Sequence, residues 1–194
     1  GDYLAQALSF FGIPFTQEDR LSLIGTNGAG TLDRFLQRAD PPLTREQLAR
    51  VRERLGNTYE DSPLFPQPGL REWLRELGHQ GIRTGVVSST STKYIVTALN
   101  RMGFTGQFQV IVCGDMVKRP KPAPDSYQLA MSLLGLSPEE CLAIEDSPTG
   151  IQAARAAGLQ VVGYKGGSVE QDTRKAHWEV RSFQEIPSLP PFRG

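Results

Sequence analysis

The chain has 194 residues, 39% hydrophobic and 22% charged, which provides for one sizeable globular domain, or one with a small insertion. Its 21 basic and 21 acidic side chains cancel, so there is no general electrostatic case for nucleic acid or an anionic membrane as partner. No apolar run approaches the ~20 residues of a membrane span, and the opening GDYLAQALSFFGIPF lacks a basic leader and a signal-peptide layout, which makes a cytoplasmic protein the expectation.

Before Pro63 the apolar spacing is helical. Leu4, Leu8 and Phe11 share one face, with Gly12 as a stop. Thr16 opens a short helix through Leu23, and Gly25-Thr-Asn-Gly-Ala-Gly30 is a glycine-rich break. A third helix is expected over about 31–37. Thr44 with Gln47 opens a longer one, to about Thr58, in the manner of a capping box. No strand is expected before residue 80, so this part reads as a small helical bundle.

Beyond Pro63-Leu-Phe-Pro-Gln-Pro-Gly69 helical and strand-like segments alternate. Helices are predicted over 70–77, 93–102, 125–134 and 149–157, and short apolar strands over 84–87, 109–113, 141–144 and 160–164. Alternation with wholly apolar strands predicts an α/β fold, a doubly wound parallel sheet covered by helices on both faces. Ligands of such sheets bind beyond the carboxyl ends of the strands. Cys113 and Cys141, in or beside apolar runs, read as buried thiols in a reducing compartment. Trp73 and Trp178 read as core or partly buried anchors, and His79 and His177 as surface or packing residues.

Three strand ends carry unusual polar groups. After the first comes Ser88-Ser-Thr-Ser-Thr92, hydroxyls with free N–H groups at a helix start, suited to a phosphate or simply to capping. After the second, Lys121 lies between prolines. A backbone so stiffened can hold an ammonium in place against a phosphoryl group, the alternative being a solvated surface lysine. After the third come Glu145 and Asp146, then Ser147-Pro-Thr-Gly150. Adjacent carboxylates suit Mg²⁺, which takes hard oxygens and keeps waters, or else Asp146 or Ser147 caps the next helix.

These segments, VVSSTS, KPAPDSY and AIEDSPTGIQAARAAG, resemble motifs two, three and four of the haloacid dehalogenase superfamily. The likeness is closest to the subgroup with a small helical cap that includes β-phosphoglucomutase-like sugar-phosphate phosphatases. The resemblance implies a cap over 1–64 and a Rossmann-like core over 65–194. It implies that Ser88, with N–H groups at Ser89 and Thr90, binds the transferring phosphoryl group and that Lys121 balances its charge. Asp146 would bind Mg²⁺ with help from Glu145. The implied activity is Mg²⁺-dependent hydrolysis of a small phosphomonoester through an aspartyl-phosphate, by a monomer whose cap closes over the substrate. The alternatives are a phosphomutase or a binding module without a nucleophile.

Family members begin with a strand ending in DxDGT or DxDGV, which supplies the nucleophile and the acid/base. Nothing in the sequence matches it. Because that strand lies mid-sheet, its removal would expose two strand edges and open a slot through the core. The expectation is therefore an intact protein in which it lies upstream of Gly1. Residues 1–92 contain no lysine, which argues against phosphonate cleavage and against a mutase, and the acidic pair argues against dehalogenation. Asn27 and Gly28, in the glycine-rich loop, are expected to touch substrate or to form a plain interhelix turn.

Overall fold

A computed structural model of the chain describes residues 3–23, 29–55, 58–167 and 171–192. Its contacts divide the chain into two units, residues 1–64 and 65–194.

The first unit holds helices α1 (Tyr3–Phe10), α2 (Gln17–Leu23), α3 (Ala29–Leu36), α4 (Arg45–Leu55) and α5 (Thr58–Asp61). Ala7, Leu8, Ile13, Phe35, Leu36 and Leu48 form its buried core. Thr44 and Gln47 make the reciprocal cap expected of α4: Thr44 N donates to Gln47 Oε1 (2.8 Å) and Gln47 N to Thr44 Oγ1 (3.2 Å). Thr16 and Asp19 repeat it at α2. Asp19 is then clasped by both Arg38 nitrogens, at 2.8 and 2.9 Å, and this guanidinium holds its carboxyl well below the usual range.

The second unit holds α6 (Leu70–His79), β1 (Gly85–Val87), α7 (Thr92–Arg101), β2 (Val110–Val112), α8 (Asp125–Leu134), β3 (Leu142–Glu145), α9 (Pro148–Ala156), β4 (Gln160–Tyr164) and β5 (Trp178–Val180). Every strand pairing is parallel. Val161 and Val162 of β4 are both wholly buried, as befits a strand covered on both faces. Ile151, Ala153 and Ala154 of α9 pack against one side, and Val180, Phe183 and Ile186 against the other.

Two features depart from the sequence reading. β5 was not expected. It is three residues long, too short for a periodic signal, and is joined to β4 by a side chain: His177 Nδ1 accepts from Val161 N (2.9 Å) and His177 N donates to Val161 O (2.8 Å). Also, the strands form two sheets, β1–β2 and β3–β4–β5. Between β1 and β3 lies a cavity of about 540 Å³, walled by Gly85 and Val87 on one side and by Leu142 and Ala143 on the other. Among the described residues no pairing joins β1 to β3. No helix is long and apolar enough to cross a membrane among the described residues.

Phe35 is 2% exposed, so Phe35→Ala leaves a cavity the bundle core cannot close. Urea unfolding is expected to show a loss of about 3–5 kcal/mol.

Candidate functional site

The carboxyl ends of β1 and β3 are joined by one side chain. Lys121, 7% exposed, donates from Nζ to Val87 O at 3.0 Å and forms a buried ion pair with Glu145 Oε1. It is no surface lysine. The residues next in sequence after these two strand ends are Ser88 and Asp146.

Glu145 is held from several sides. Tyr127 of α8 donates its phenol to the same Oε1, and its ring lies 4.9 Å from the ammonium, within cation–π range. The first turn of α9 lies on the carboxylate, and a Cβ at Gly150 would overlap both oxygens. Gly150 N is meanwhile capped by Ser147 Oγ (3.1 Å). A buried charge is tolerated only when paired and hydrogen-bonded, and each of these groups contributes to that end. Burial first, and the neighbouring Glu145 second, push the Tyr127 phenol well above its usual range.

Asp146 differs. It lies past the strand end and is exposed, at the rim of a second cavity of about 180 Å³ lined also by Gln67, Tyr164, Gly167 and Phe183. Tyr164 and Gln67 face each other there, Tyr164 OH donating to Gln67 Oε1 at 3.4 Å. Among the described residues no three His, Cys, Asp or Glu side chains gather as a metal cage. One open carboxylate beside a small cavity nevertheless fits Mg²⁺, which commonly takes one or two protein carboxylates, several waters and substrate phosphate. Glu145 is engaged by Lys121 and Tyr127, so of the expected acidic pair only Asp146 is open to solvent.

Ser88 is half-buried and Ser89 exposed. Ser88 N donates to Val112 O (2.9 Å), while its Oγ accepts from Thr90 N (3.1 Å) and keeps its own proton to donate. The loop is held from below by Gly114, whose N–H donates to Thr90 O (3.0 Å) and whose backbone lies so near Ser89 O that no Cβ would fit. The start of α7 already carries a carboxylate: Asp115 accepts from Thr92 N (3.0 Å) and Thr92 Oγ1 (2.8 Å). Those bonds lower the Asp115 pKa. An incoming phosphate would thus meet Ser88 and Ser89 rather than the first turn of α7. Asn27 and Gly28 lie outside the described residues.

Sequence reasoning missed Tyr127, Asp115, Gln67 and Tyr164. Tyr127 ends the KPAPDSY segment, in the first turn of α8, and nothing local in the sequence ties it to Glu145. Gln67 lies in a proline-rich stretch with no periodic signal.

A sequence profile described as haloacid dehalogenase-like hydrolase matches residues 3–164. Protein CbbY of Rhodobacter capsulatus is 31% identical over 97% of this chain and 88% of its own length. Protein CbbY of Cereibacter sphaeroides is 37% identical over 75% of this chain, the match spanning 66% of that relative. A phosphoglycolate phosphatase of Pectobacterium atrosepticum is 35% identical over 84% of this chain and 71% of its own. In structure, the chain is similar to CbbY from Rhodobacter sphaeroides in complex with phosphate. The TM-score is 0.82 and the identity 29%, over 95% of this chain and 87% of that one.

Glu145→Gln, which leaves Lys121 a buried charge without its counter-ion, is expected to cost about 3–5 kcal/mol in denaturant unfolding. Tyr127 gives a pH signature. With its folded pKa raised above the usual 10.0, the unfolded chain ionises first as pH rises, so stability present below about pH 10 falls above it. Tyr127→Phe is expected to flatten that alkaline decline, read as the melting temperature between about pH 9 and 11.

Proposed function

This chain belongs to the haloacid dehalogenase-like hydrolase family, and from that membership we propose that it hydrolyses small phosphomonoesters with Mg²⁺, phosphorylated sugars first among them. The observation that carries the proposal is the buried Lys121 ammonium, held across two strand ends by Val87 O and Glu145, one strand leading into Ser88 and Ser89 and the other into the exposed Asp146.

Phosphoryl transfer demands positioning and neutralisation of the equatorial oxygens more than covalent chemistry. Lys121 supplies a positive charge that costs no reorganisation, because Glu145 and the Val87 carbonyl already aim it. Ser88 O–H and the backbone N–H of Ser89 are donors for the transferring group. Asp146 is the residue that would hold Mg²⁺, and Glu145 assists from a distance by fixing Lys121. When bound, the cation would supply further charge neutralisation. An aspartyl-phosphate route needs an attacking carboxylate as well. Glu145 is held by Lys121 and Tyr127 and Asp146 is assigned to the cation, so that group is neither of them.

The substrate class rests on the relatives. A mutant of CbbY from Rhodobacter sphaeroides has been crystallised in complex with xylulose-(1,5)bisphosphate, and several relatives are named phosphoglycolate phosphatase. Sugar phosphates lead, and phosphoglycolate follows.

The test, on full-length protein, is release of inorganic phosphate from a panel of sugar phosphates, sugar bisphosphates, phosphoglycolate and nucleoside monophosphates, with and without Mg²⁺. Turnover stimulated by Mg²⁺ is expected. Asp146→Asn should raise the Mg²⁺ concentration needed for half-maximal rate, and Ser88→Ala should lower kcat by about 10²–10³. Phosphate release from no ester of the panel, at any Mg²⁺ concentration, sinks the proposal; dependence on an added bisphosphate with little free phosphate points to a mutase instead.

A further inference from the structure

The chain that leaves β2 is bound to the chain that leaves β1 at three successive places. Ser88 N donates to Val112 O (2.9 Å), which extends the β1–β2 pairing by one bond beyond Val87 and Val112. Gly114 N then donates to Thr90 O (3.0 Å). The third tie is a side chain. Asp115 accepts the Thr92 N–H at 3.0 Å on Oδ1 and 3.1 Å on Oδ2, and the Thr92 hydroxyl at 2.8 Å on Oδ1. Thr92 opens α7, and the residue before it, Ser91, makes no side-chain cap bond. The cap of α7 is thus supplied by another loop, 23 residues away.

Ser88–Thr92 is therefore fixed at both ends and pressed in the middle. Ser88 is tied to β2 and Thr92 to Asp115, while a Cβ at Gly114 would come within 2.2 Å of Ser89 O. Within the loop Thr90 N donates to Ser88 Oγ (3.1 Å), which leaves the Ser88 proton to be given outward. A carboxylate is an unexpected neighbour for a loop that receives phosphate, since like charges repel. Its use is as a fastening. A hydrogen bond to an ionised acceptor is roughly twice as strong as one between neutral groups, and the bonds from Thr92 hold Asp115 in its ionised form. They also engage the helix start that would otherwise attract an anion one turn too far along.

We propose that Asp115 is a positioning residue for phosphate: through Thr92 it holds the Ser88–Thr92 loop in the conformation that presents the Ser88 hydroxyl and the Ser89 N–H to a phosphoryl group. This rests on the phosphatase reading of the loop, and it is tested by phosphate binding as well as by turnover.

The experiment compares full-length wild type, Asp115→Asn and Asp115→Ala, each shown to be folded by its melting curve. Calorimetric titration with inorganic phosphate in Mg²⁺ gives the affinity, and hydrolysis of the best ester gives kcat. Asp115→Ala leaves Thr92 N–H without its acceptor; Asp115→Asn keeps an amide oxygen for it. Asp115→Ala is expected to weaken phosphate binding about tenfold and to lower kcat by about 10², the scale of a displacement of ~1 Å. The Mg²⁺ concentration for half-maximal rate should not move, because Asp146 follows the other strand end. Asp115→Asn should recover most of both losses. Ser137→Ala, which weakens the Ser137–Glu140 cap ahead of β3, serves as a control for lost stability alone and should change neither quantity. The proposal is overturned if Asp115→Ala binds phosphate and turns over like wild type, or if Ser137→Ala loses as much. Equal losses in Asp115→Asn and Asp115→Ala also overturn it, since the effect is then one of charge and not of the tie. Wild type that binds phosphate with this dependence on Asp115 but hydrolyses no ester removes the hydrolysis reading and leaves the positioning role standing. Wild type that binds no phosphate removes both.

Discussion

The second unit is organised around the contact between Lys121 and Glu145. Taking a charge out of water costs several kcal/mol even after relaxation, and an ion pair offsets this only when its remaining hydrogen-bonding capacity is met. Here each neighbour answers that requirement. Val87 O accepts a hydrogen bond from the ammonium, the Tyr127 hydroxyl donates one to the carboxylate, its ring lies 4.9 Å from the ammonium, and glycine at 150 lets the backbone of α9 close on Glu145. Loops after β2, β1 and β3 and helices α8 and α9 are thereby referenced to one pair of atoms. A hydroxyl placed by β1 and a carboxylate placed by β3 inherit that precision.

Adjacent acidic residues do different work because of where the strand stops. Glu145 is the last residue of β3 and turns inward to the lysine. Asp146, one step later, has left the ladder and stands in solvent. Like charges on neighbouring residues would repel if both were confined, and the division between a buried counter-ion and a solvent-exposed carboxylate avoids that. It also explains why Mg²⁺ is sought at one carboxylate rather than two.

Legibility in the sequence followed the range of the interaction. The Thr44–Gln47 cap and the extent of α8 are local and could be read directly. Lys121 was singled out by its prolines, but its partner was not, since the bond to Glu145 spans 24 residues. Two carboxylates side by side looked like a metal pair because chemistry at short range was all that spacing offers. Tyr127 carries no signal of its own in the sequence, and its hydroxyl matters only because the fold brings Glu145 to it. Asp115 shows the same limit. Ser88–Thr92 reads as an anion site, and its helix end does bind an anion, but that anion is a carboxylate from the next loop.

The slot and the site share a residue. Val87 lines the space between the sheets, and its carbonyl is also the Lys121 acceptor. The apolar clusters around Val110 and around Val161 both reach Val87, and α8 contributes Ala130 to the first and Tyr127 and Met131 to the second. A rigid helix thus spans both half-sheets, with Tyr127 at its site end.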